Sequence, residues 1–324
     1  MHKNKKFDLV YTWVDDTDTK WLNKKNATLE NMGFKVDKNA TSACRYRNNN
    51  ELKYSLRSVE KYASWINHIY IITDNQIPMW MNIKNPKINI IDHKDIIPED
   101  ALPTYNSNSI LHCIVNIPNL SEYFLYCDDD MLFGDYTYPE FFLTKSEKLI
   151  CRFRKDIKLL KDSLWKQMLL HTIDILKNKN YKFPSNGPHH NIDIYKKSII
   201  IDCQKEFKKE IENTIYNKFR TSKDVERIIY SYYALAKQQG IFKEVYHYDV
   251  SKPFIKKFSK IILKGSYNDS KYFSCDHQSI EKYLTKFQPK LFCINDGEEI
   301  NNNNKRNVIQ ILEKIFPEKS SFEK

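Results

Sequence analysis

Three carboxylates in a row, Asp128-Asp129-Asp130, follow the apolar run Glu122–Cys127 (EYFLYC). Adjacent carboxylates repel one another, so the arrangement calls for a counter-charge. A hard divalent cation, Mg²⁺ or Mn²⁺, supplies one and would bridge to phosphate oxygens; a solvated acidic turn is the plainer alternative. Two arginines stand in Arg45-Tyr46-Arg47-Asn48-Asn49-Asn50-Glu51, just ahead of an amphipathic stretch. Arginines near a helix N-terminus can grip phosphate bidentately, or pair with surface acids while Asn50 caps the helix. The loop Leu102 to Asn108 (LPTYNSN) is full of amide and hydroxyl donors, suited to sugar hydroxyls and equally to capping a helix. Gly187-Pro188-His189-His190-Asn191-Ile192-Asp193 holds the only adjacent histidine pair. An imidazole titrates near neutrality and can act as a base, and Asp193 could orient one; a structural pair is the alternative. Phe292-Cys293-Ile294-Asn295-Asp296 is one more apolar run ending in an amide and a carboxylate.

These groups need elements to position them. Residues 7–14 (FDLVYTWV), 68–73 (HIYIIT), 88–93 (INIIDH) and 122–127 are short, apolar and β-branched or aromatic, the pattern of buried strands. Residues 51–65 place Leu52, Leu56, Val59 and Ala63 on one helical face, and 107–117 reads as a further helix. Strands alternating with helices predict βαβ units and a mostly parallel, Rossmann-like sheet flanked by helices. Ligands bind beyond the carboxyl ends of such strands. Three strands end on acids: Val14 runs into Asp15-Asp16, Thr73 into Asp74-Asn75, and Cys127 into the trio.

After about residue 150 the texture turns helix-rich. Helices are predicted at 156–178 and 205–217. The pattern Thr221-Ser222-Lys223-Asp224 reads as a capping box opening a helix with Val225, Ile228, Ile229, Tyr232 and Leu235 on one face, closed by Gly240. The run 301–304 (NNNN) reads as a loop before a last helix at 306–316. The expected division is a nucleotide-sugar-binding α/β part over 1–150 and a helix-rich part over 151–324 that contributes catalytic residues to the same active site.

Composition narrows the function classes. The chain has 324 residues, long enough for one large domain or two, with 41% hydrophobic and 14% aromatic residues, too apolar for a disordered chain. Its six glycines are not closely paired, which excludes the GxGxxG and GxxxxGK phosphate loops. Phosphate must therefore be neutralised by side chains or metal. The net charge of +11 suits an acidic partner. Nucleic acid would explain that charge but not the carboxylate clusters, and no RNA-recognition or zinc-finger signature is present. Seven cysteines without a CxxC pair argue against a disulfide framework or a cysteine zinc site and fit a reducing cytosol. The N-terminus lacks a long apolar segment, and no run approaches the ~20 apolar residues of a membrane span. The expectation is a cytoplasmic protein, with basic residues that allow peripheral contact at the inner face of the membrane.

Read jointly, the segments resemble the Stealth family of sugar-phosphate transferases, which includes bacterial capsular polysaccharide phosphotransferases and the lysosomal-targeting N-acetylglucosamine-phosphate transferase. Four blocks occur in order over roughly residues 7–300. The first is Asp8 to Asp15 (DLVYTWVD). The second is long, running from Arg45-Tyr46-Arg47 through Asn50-Glu51-Leu52 to Ser58, then Ile71 to Asp74, Asp92-His93, Leu102 to Asn108, and Phe124 to Met131. The third holds His190-Asn191-Ile192-Asp193 and Phe219-Arg220-Thr221-Ser222-Lys223-Asp224, and the fourth is Cys293 to Asp296. Two departures stand out: Asp128 where the family usually has Asn, and Asn48 where an Asp is common.

The resemblance implies transfer of an intact sugar-1-phosphate from a nucleotide sugar (UDP-GlcNAc-like) to an acceptor sugar hydroxyl of an oligo- or polysaccharide. A phosphodiester forms and a nucleoside monophosphate leaves, as in capsular or cell-surface polysaccharide synthesis. It implies Asp129 and Asp130 as metal ligands with Asn295 or Asp296, Asp129 counting also among the catalytic residues. Arg45 and Arg220 would neutralise phosphate and His190 would be the base. Asp15, Arg47, Asn50, Asp74, Asn106 and Asn108 would contact substrate. The competing reading is a conventional metal-dependent glycosyltransferase that releases nucleoside diphosphate.

Overall fold

Four apolar runs form the strands β1 (Phe7–Thr12), β2 (Ile69–Thr73), β3 (Ile88–Asp92) and β4 (Tyr123–Asp128) of a computed structural model that describes residues 5–33, 36–245 and 268–324. They pair in parallel in the order β3-β2-β1-β4, and Leu9, Val10, Ile71, Ile72, Phe124 and Leu125 are completely buried. Burial on both faces explains why these segments read as continuous apolar runs rather than alternating ones. The chain leaves β1 toward β2 and β3 and returns on the other side as β4. That reversal opens a crevice at the carboxyl ends of β1 and β4, where Thr12 is in register with Asp128.

The second half of the chain completes this sheet. Strand β8 (Asp193–Lys196) pairs antiparallel with β4 at its edge. Strand β5 (Met131–Phe133), directly after the acidic trio, pairs antiparallel with β11 (Leu291–Asn295), which lies parallel to β10 (Ser270–Ser274). A third sheet joins β7 (Asn186–Pro188), β6 (Leu149–Asp156) and β9 (Gly240–Glu244). The expected division at residue 150 falls inside β6, and Leu9, Leu125, Leu149, Ile194 and Ile229 belong to one hydrophobic core. The two parts therefore share a core as well as a cleft.

Helix α2 (Glu51–Tyr62) buries Leu52, Leu56 and Val59 as the periodicity predicts. Other helices differ from expectation for identifiable reasons. The helix expected at 107–117 is α4 (Ser107–His112) followed by a 3₁₀ turn at Ile114–Asn116. The helix expected from residue 156 begins at Leu164, because β6 runs to Asp156 and Ser163 caps the helix by accepting from the Lys166 amide. The segment 205–217 belongs to two helices, Lys197–Glu206 and Lys208–Ile215, broken at buried Phe207. Asp224 does reach back to the Thr221 amide at 3.1 Å, yet the helix starts only at Ile228. The Val225 and Glu226 amides donate instead to the Thr214 and Thr172 hydroxyls of neighbouring helices. Gly240 opens β9 rather than closing that helix, which ends at Ala236. The asparagine run is not a loop: Asn301 caps the helix Asn302–Ile315, accepting from the Asn303 and Asn304 amides. Among the described residues no helix is long and apolar enough to cross a membrane.

Candidate active site

Strand β4 delivers Asp128, Asp129 and Asp130 to the crevice, and the β5–β11 pairing brings Cys293, Asn295 and Asp296 against them. The Ile294 amide donates to the Asp130 carbonyl at 3.1 Å, which fixes the two strand ends together. Glu51, the first residue of α2, faces the same place and is buried. Besides Asp296, the four carboxylates Asp128, Asp129, Asp130 and Glu51 thus converge, and the surroundings of these four differ sharply.

Asp128 is the one with a cation beside it. Its Oδ1 accepts from the Tyr126 hydroxyl at 2.7 Å, and the Arg227 guanidinium lies 3.7 Å from Oδ2. Burial would raise its pKa, but Arg227 and then His190 hold it below the ordinary carboxylate value. Asp129 is pushed well up by burial, then by Glu51, Asp130 and Asp128. Asp130 rises to about 8, first through burial and then through Asp128, and Glu51 rises mainly through burial. Asp130 Oδ2 accepts from Cys293 Sγ at 3.3 Å, while its Oδ1 is buried without a hydrogen-bond partner. One ligand atom each of Asp130, His190 and Cys293 also lies within 4.8 Å of the other two. An orphaned carboxylate oxygen among acids that resist ionisation together is the donor chemistry that suits a hard divalent cation.

Arginines face the carboxylates across the cleft. Burial, and next the neighbouring Arg220, lowers the Arg45 pKa to about 10. Arg45 donates to the Asn39 carbonyl and Arg220 to the Ser107 hydroxyl, and among the described residues neither forms an ion pair. Two like charges held together without carboxylates suit an anionic ligand. Arg47 behaves differently: its Nη1 donates to Asp296 Oδ2 at 2.5 Å, and Asp296 Oδ1 accepts from the Gly297 amide. Both oxygens of Asp296 are therefore engaged by protein.

The histidine pair splits by environment. His189, at the end of β7, is completely buried, with Nδ1 3.0 Å from the Ser270 hydroxyl and Nε2 3.2 Å from Asp193. It lines neither lobe of the cleft, and Asp193 lies beside it rather than beside its neighbour, although Nε2 makes no hydrogen bond there. His190 opens into the cleft, its ring 5.7 Å from that of Tyr272. Burial lowers its pKa to about 4, against the pull of Asp128 and with the help of Arg227 and Arg154. The imidazole is unprotonated at neutral pH and able to accept a proton.

The cleft has two lobes, of about 470 and 320 Å³, that share Arg45, Ser107, Asp128, Trp165, His190, Arg220 and Asn295. Asp74 lines the larger lobe, paired with Lys24, and Asn108 lines the smaller one, donating to Met168 Sδ at 3.3 Å. Three expected contacts do not line either lobe. Asp15 Oδ1 is taken by the Thr17 amide and hydroxyl. Asn50 is exposed, with φ 63° and no side-chain cap bond. Asn106 is completely buried: it caps α4 through the Asn108 amide and donates to Asp224 Oδ2 at 2.6 Å. Sequence reasoning passed over Glu51, Arg154, Trp165, Arg227 and Tyr272 as site residues. Arg227 carried one signal, a charge set inside the apolar run Val225–Leu235.

Conserved region 1 of the Stealth proteins matches residues 5–33, and conserved region 2 matches residues 45–150. The capsular polysaccharide phosphotransferase fcs1 of Haemophilus influenzae is 31% identical over 309 residues, covering 91% of this chain and 79% of that protein. The exopolysaccharide phosphotransferase cps2G of Lactiplantibacillus plantarum is 45% identical over 138 residues, 43% of this chain and 39% of its own length. The capsular polysaccharide phosphotransferase SacB of Neisseria meningitidis serogroup A is 30% identical across 98% of this chain, which spans 57% of that protein. The match thus extends over little more than half of SacB and well under half of cps2G. Among solved structures, the galactosyltransferase LgtC aligns over 97% of both chains with 9% identity and a TM-score of 0.45.

Proposed function

The chain belongs to the Stealth family, and from that premise we propose that it transfers a sugar-1-phosphate from a nucleotide sugar, UDP-GlcNAc-like, to an acceptor sugar hydroxyl during capsular or cell-surface polysaccharide synthesis. The observation that carries the reading is one cleft holding two arginines, Arg45 and Arg220, opposite the carboxylates Asp129, Asp130 and Glu51, none of which forms an ion pair among the described residues. Phosphoryl transfer asks mainly for positioning and charge neutralisation, and this arrangement supplies both kinds of group.

The oxygen of the acceptor hydroxyl forms the new bond to the phosphorus that carries the donor sugar. Its proton passes to the unprotonated ring of His190. The bond from that phosphorus to the oxygen of the nucleoside monophosphate breaks, and the monophosphate departs. Arg45 and Arg220 steady the phosphate oxygens as charge builds on them. Asp129 and Asp130, with Asn295 beside them, would hold Mg²⁺ or Mn²⁺, which when bound offsets phosphate charge. Arg227 keeps Asp128 ionised and lies over the Tyr126 ring at 5.0 Å. Action at the inner face of the membrane, favoured by the chain's net charge of +11, is part of the same reading.

Incubation with a panel of nucleotide sugars and candidate acceptors tests it. The expected result is UMP, CMP or GMP among the spent nucleotides and a phosphodiester signal in the phosphorus NMR spectrum of the product. Nucleoside diphosphate with a phosphate-free glycoside would replace this reading with a conventional glycosyltransferase.

A further inference from the structure

The loop that joins β2 to β3 carries three large apolar side chains at the surface: Ile77 is 52% exposed, Met79 90% and Ile83 51%. Met79 is the most exposed large hydrophobic side chain among the described residues. Single exposed apolar residues are commonplace, but several in one short segment mark a contact surface. Trp80, in their midst, is half-buried and packs against the main hydrophobic core.

The exposure is built in and does not come from slack chain. Gln76, Pro78 and Met81 lie between and beside the exposed residues and are buried. The Gln76 amide grips the backbone after β1: Oε1 accepts from the Asp15 amide at 3.0 Å and Nε2 donates to the Asp15 carbonyl at 2.9 Å. Met81 pairs antiparallel with Glu323, and the Asn82 amide donates to the Phe322 carbonyl at 2.8 Å. The Lys324 amide donates to the Trp80 carbonyl at 2.9 Å. With its backbone held at these points, the loop keeps Ile77, Met79 and Ile83 in water at a hydrophobic cost.

The surroundings are basic. From Asn75 to Ile91 the chain has Lys84 and Lys87 and no acid, and residues 317–324 add Lys319 and Lys324 against Glu318 and Glu323. Glu323 is already neutralised by Arg57, which donates to both of its oxygens at 2.8 and 2.9 Å. Lys87 turns inward to the Ser64 and Ile66 carbonyls. Lys84, Lys319 and Lys324 are exposed, and among the described residues none of the three forms an ion pair. Lys324 Nζ donates to the Met79 carbonyl at 2.7 Å, which puts an ammonium at the base of the most exposed apolar side chain. Apolar side chains flanked by free lysines, with a tryptophan among them, complement an anionic lipid surface: the first enter the acyl boundary and the second stay among the headgroup phosphates.

Resting on the reading that the enzyme works at the inner face of the membrane, we propose that the β2–β3 loop is its membrane-docking surface. Ile77, Met79 and Ile83 enter an anionic leaflet, Trp80 sits at headgroup level, and Lys84, Lys319 and Lys324 face the lipid phosphates. Asp74 lines the larger lobe of the cleft, and the three positions from there to Ile77 span at most about 11 Å of chain. Docking through this loop therefore holds the rim of the cleft close to the bilayer that a cell-surface polymer has to cross.

Vesicle sedimentation of the full chain tests this without turnover, so its outcome is independent of the nucleotide assay that tests the transfer chemistry. Wild type is expected to bind vesicles of equimolar phosphatidylcholine and phosphatidylglycerol and to bind phosphatidylcholine alone much more weakly. Combining Ile77→Ser, Met79→Ser and Ile83→Ser should lower partitioning roughly 10- to 100-fold with the melting temperature unchanged. In a second measurement, Met79→Trp places a fluorophore in the acyl region, and lipids with brominated acyl chains should quench its emission beyond the quenching seen in wild type. Wild type left in the supernatant, equal binding to both kinds of vesicle, undiminished binding by the folded triple variant, or no added quenching in Met79→Trp overturns the proposal. A wild-type dimer in lipid-free sedimentation that the triple variant loses also overturns it, in favour of a second copy of this chain on the same face.

Discussion

Replacing Arg227 by Met isolates the electrostatic core of the site. Arg227 is 7% exposed and lies 3.7 Å from Asp128 and 3.8 Å from Asp193, with Glu226 at 3.9 Å. Methionine fills similar volume and removes the only cation those acids share among the described residues. Breaking a buried pair from one side costs about 3–5 kcal/mol. The fold has an escape route, which is to let one carboxylate take up a proton. From the ordinary value of 3.8 for Asp128, that costs about 5 kcal/mol at pH 7.5 and about 2 kcal/mol at pH 5.5, at 1.36 kcal/mol per unit. In wild type the Asp128 pKa is lowered, so its stabilisation is present above 3.8 and is lost only as pH falls through the depressed value. Between pH 7.5 and 5.5 the wild-type contribution is therefore flat. In Arg227→Met the carboxylate pKa is raised, and the penalty eases as pH falls toward the unfolded value. Urea unfolding at the two pH values should show a deficit of about 3–5 kcal/mol at pH 7.5 that shrinks to about 2 kcal/mol at pH 5.5. The double variant Arg227→Met with Asp128→Asn should recover much of the loss at pH 7.5, since both sides of the pair are gone. A deficit below about 1 kcal/mol at pH 7.5, or one equal at both pH values, refutes the reasoning.

Asp129→Asn and Asp130→Asn should each lower turnover by orders of magnitude yet raise the melting temperature measured in excess chelator, because each removes a repelled carboxylate; a drop in that temperature would count against the cation site. His190→Ala should lose ~10²–10⁴-fold in turnover with donor binding little changed, whereas His189→Ala should show its main effect in stability; normal turnover by the His190 variant would remove it as the base. His112 is fully buried between the Tyr230 hydroxyl and the Val225 carbonyl, and burial lowers its pKa from 6.5 to about 4. The unfolded chain binds a proton there that the folded chain does not, so stability should fall as pH drops from 6.5 toward 4, with a shallower slope in His112→Gln; identical slopes would contradict this. Gly134→Ala should destabilise by about 1–3 kcal/mol on chemical denaturation, since a Cβ there would sit 2.2 Å from the Pro289 carbonyl and prise β5 from β11; a neutral effect would show that this junction yields.

Much of the framework was legible in the residues alone. The runs FDLVYT, IYIIT and YFLYC are β-branched, aromatic and bounded by acids, which marks them as buried parallel strands whose polar ends face one crevice. That reasoning is local, because side-chain period and strand propensity act over a few residues. It led to the acidic trio and to Asp74, and the arginines ahead of the helix at 51–65 led to Arg45; all of these line the cleft. It failed where neighbours distant in sequence override local preference. The helix after Thr221 starts late because the Val225 and Glu226 amides bond to threonines 11 and 54 residues away.

Electrostatic role lay beyond the sequence. The letters Asp128, Asp129 and Asp130 are equivalent on the page, yet one is held ionised by Arg227 and the others are pushed up by burial and mutual repulsion. His189 and His190 are adjacent, but β7 turns one into the core against Ser270 and Asp193 and the other into the cleft. Arg152 and Arg154 share a strand and a face, and among the described residues only the first pairs with a carboxylate, from a residue 117 positions away. By itself the sequence determined that the runs at 7–14, 68–73, 88–93 and 122–127 become strands and that acids would collect where they end, while β5, and β6 to β10 in a half that reads as helix-rich, went unmarked. Which of those acids is held charged, which histidine opens into the cleft and which arginine meets a carboxylate were decided by the fold. Charge depends on burial and on partners within a few ångströms, and those partners lie far away along the chain, as Arg227 does from Asp128 and Asp269 from Arg152.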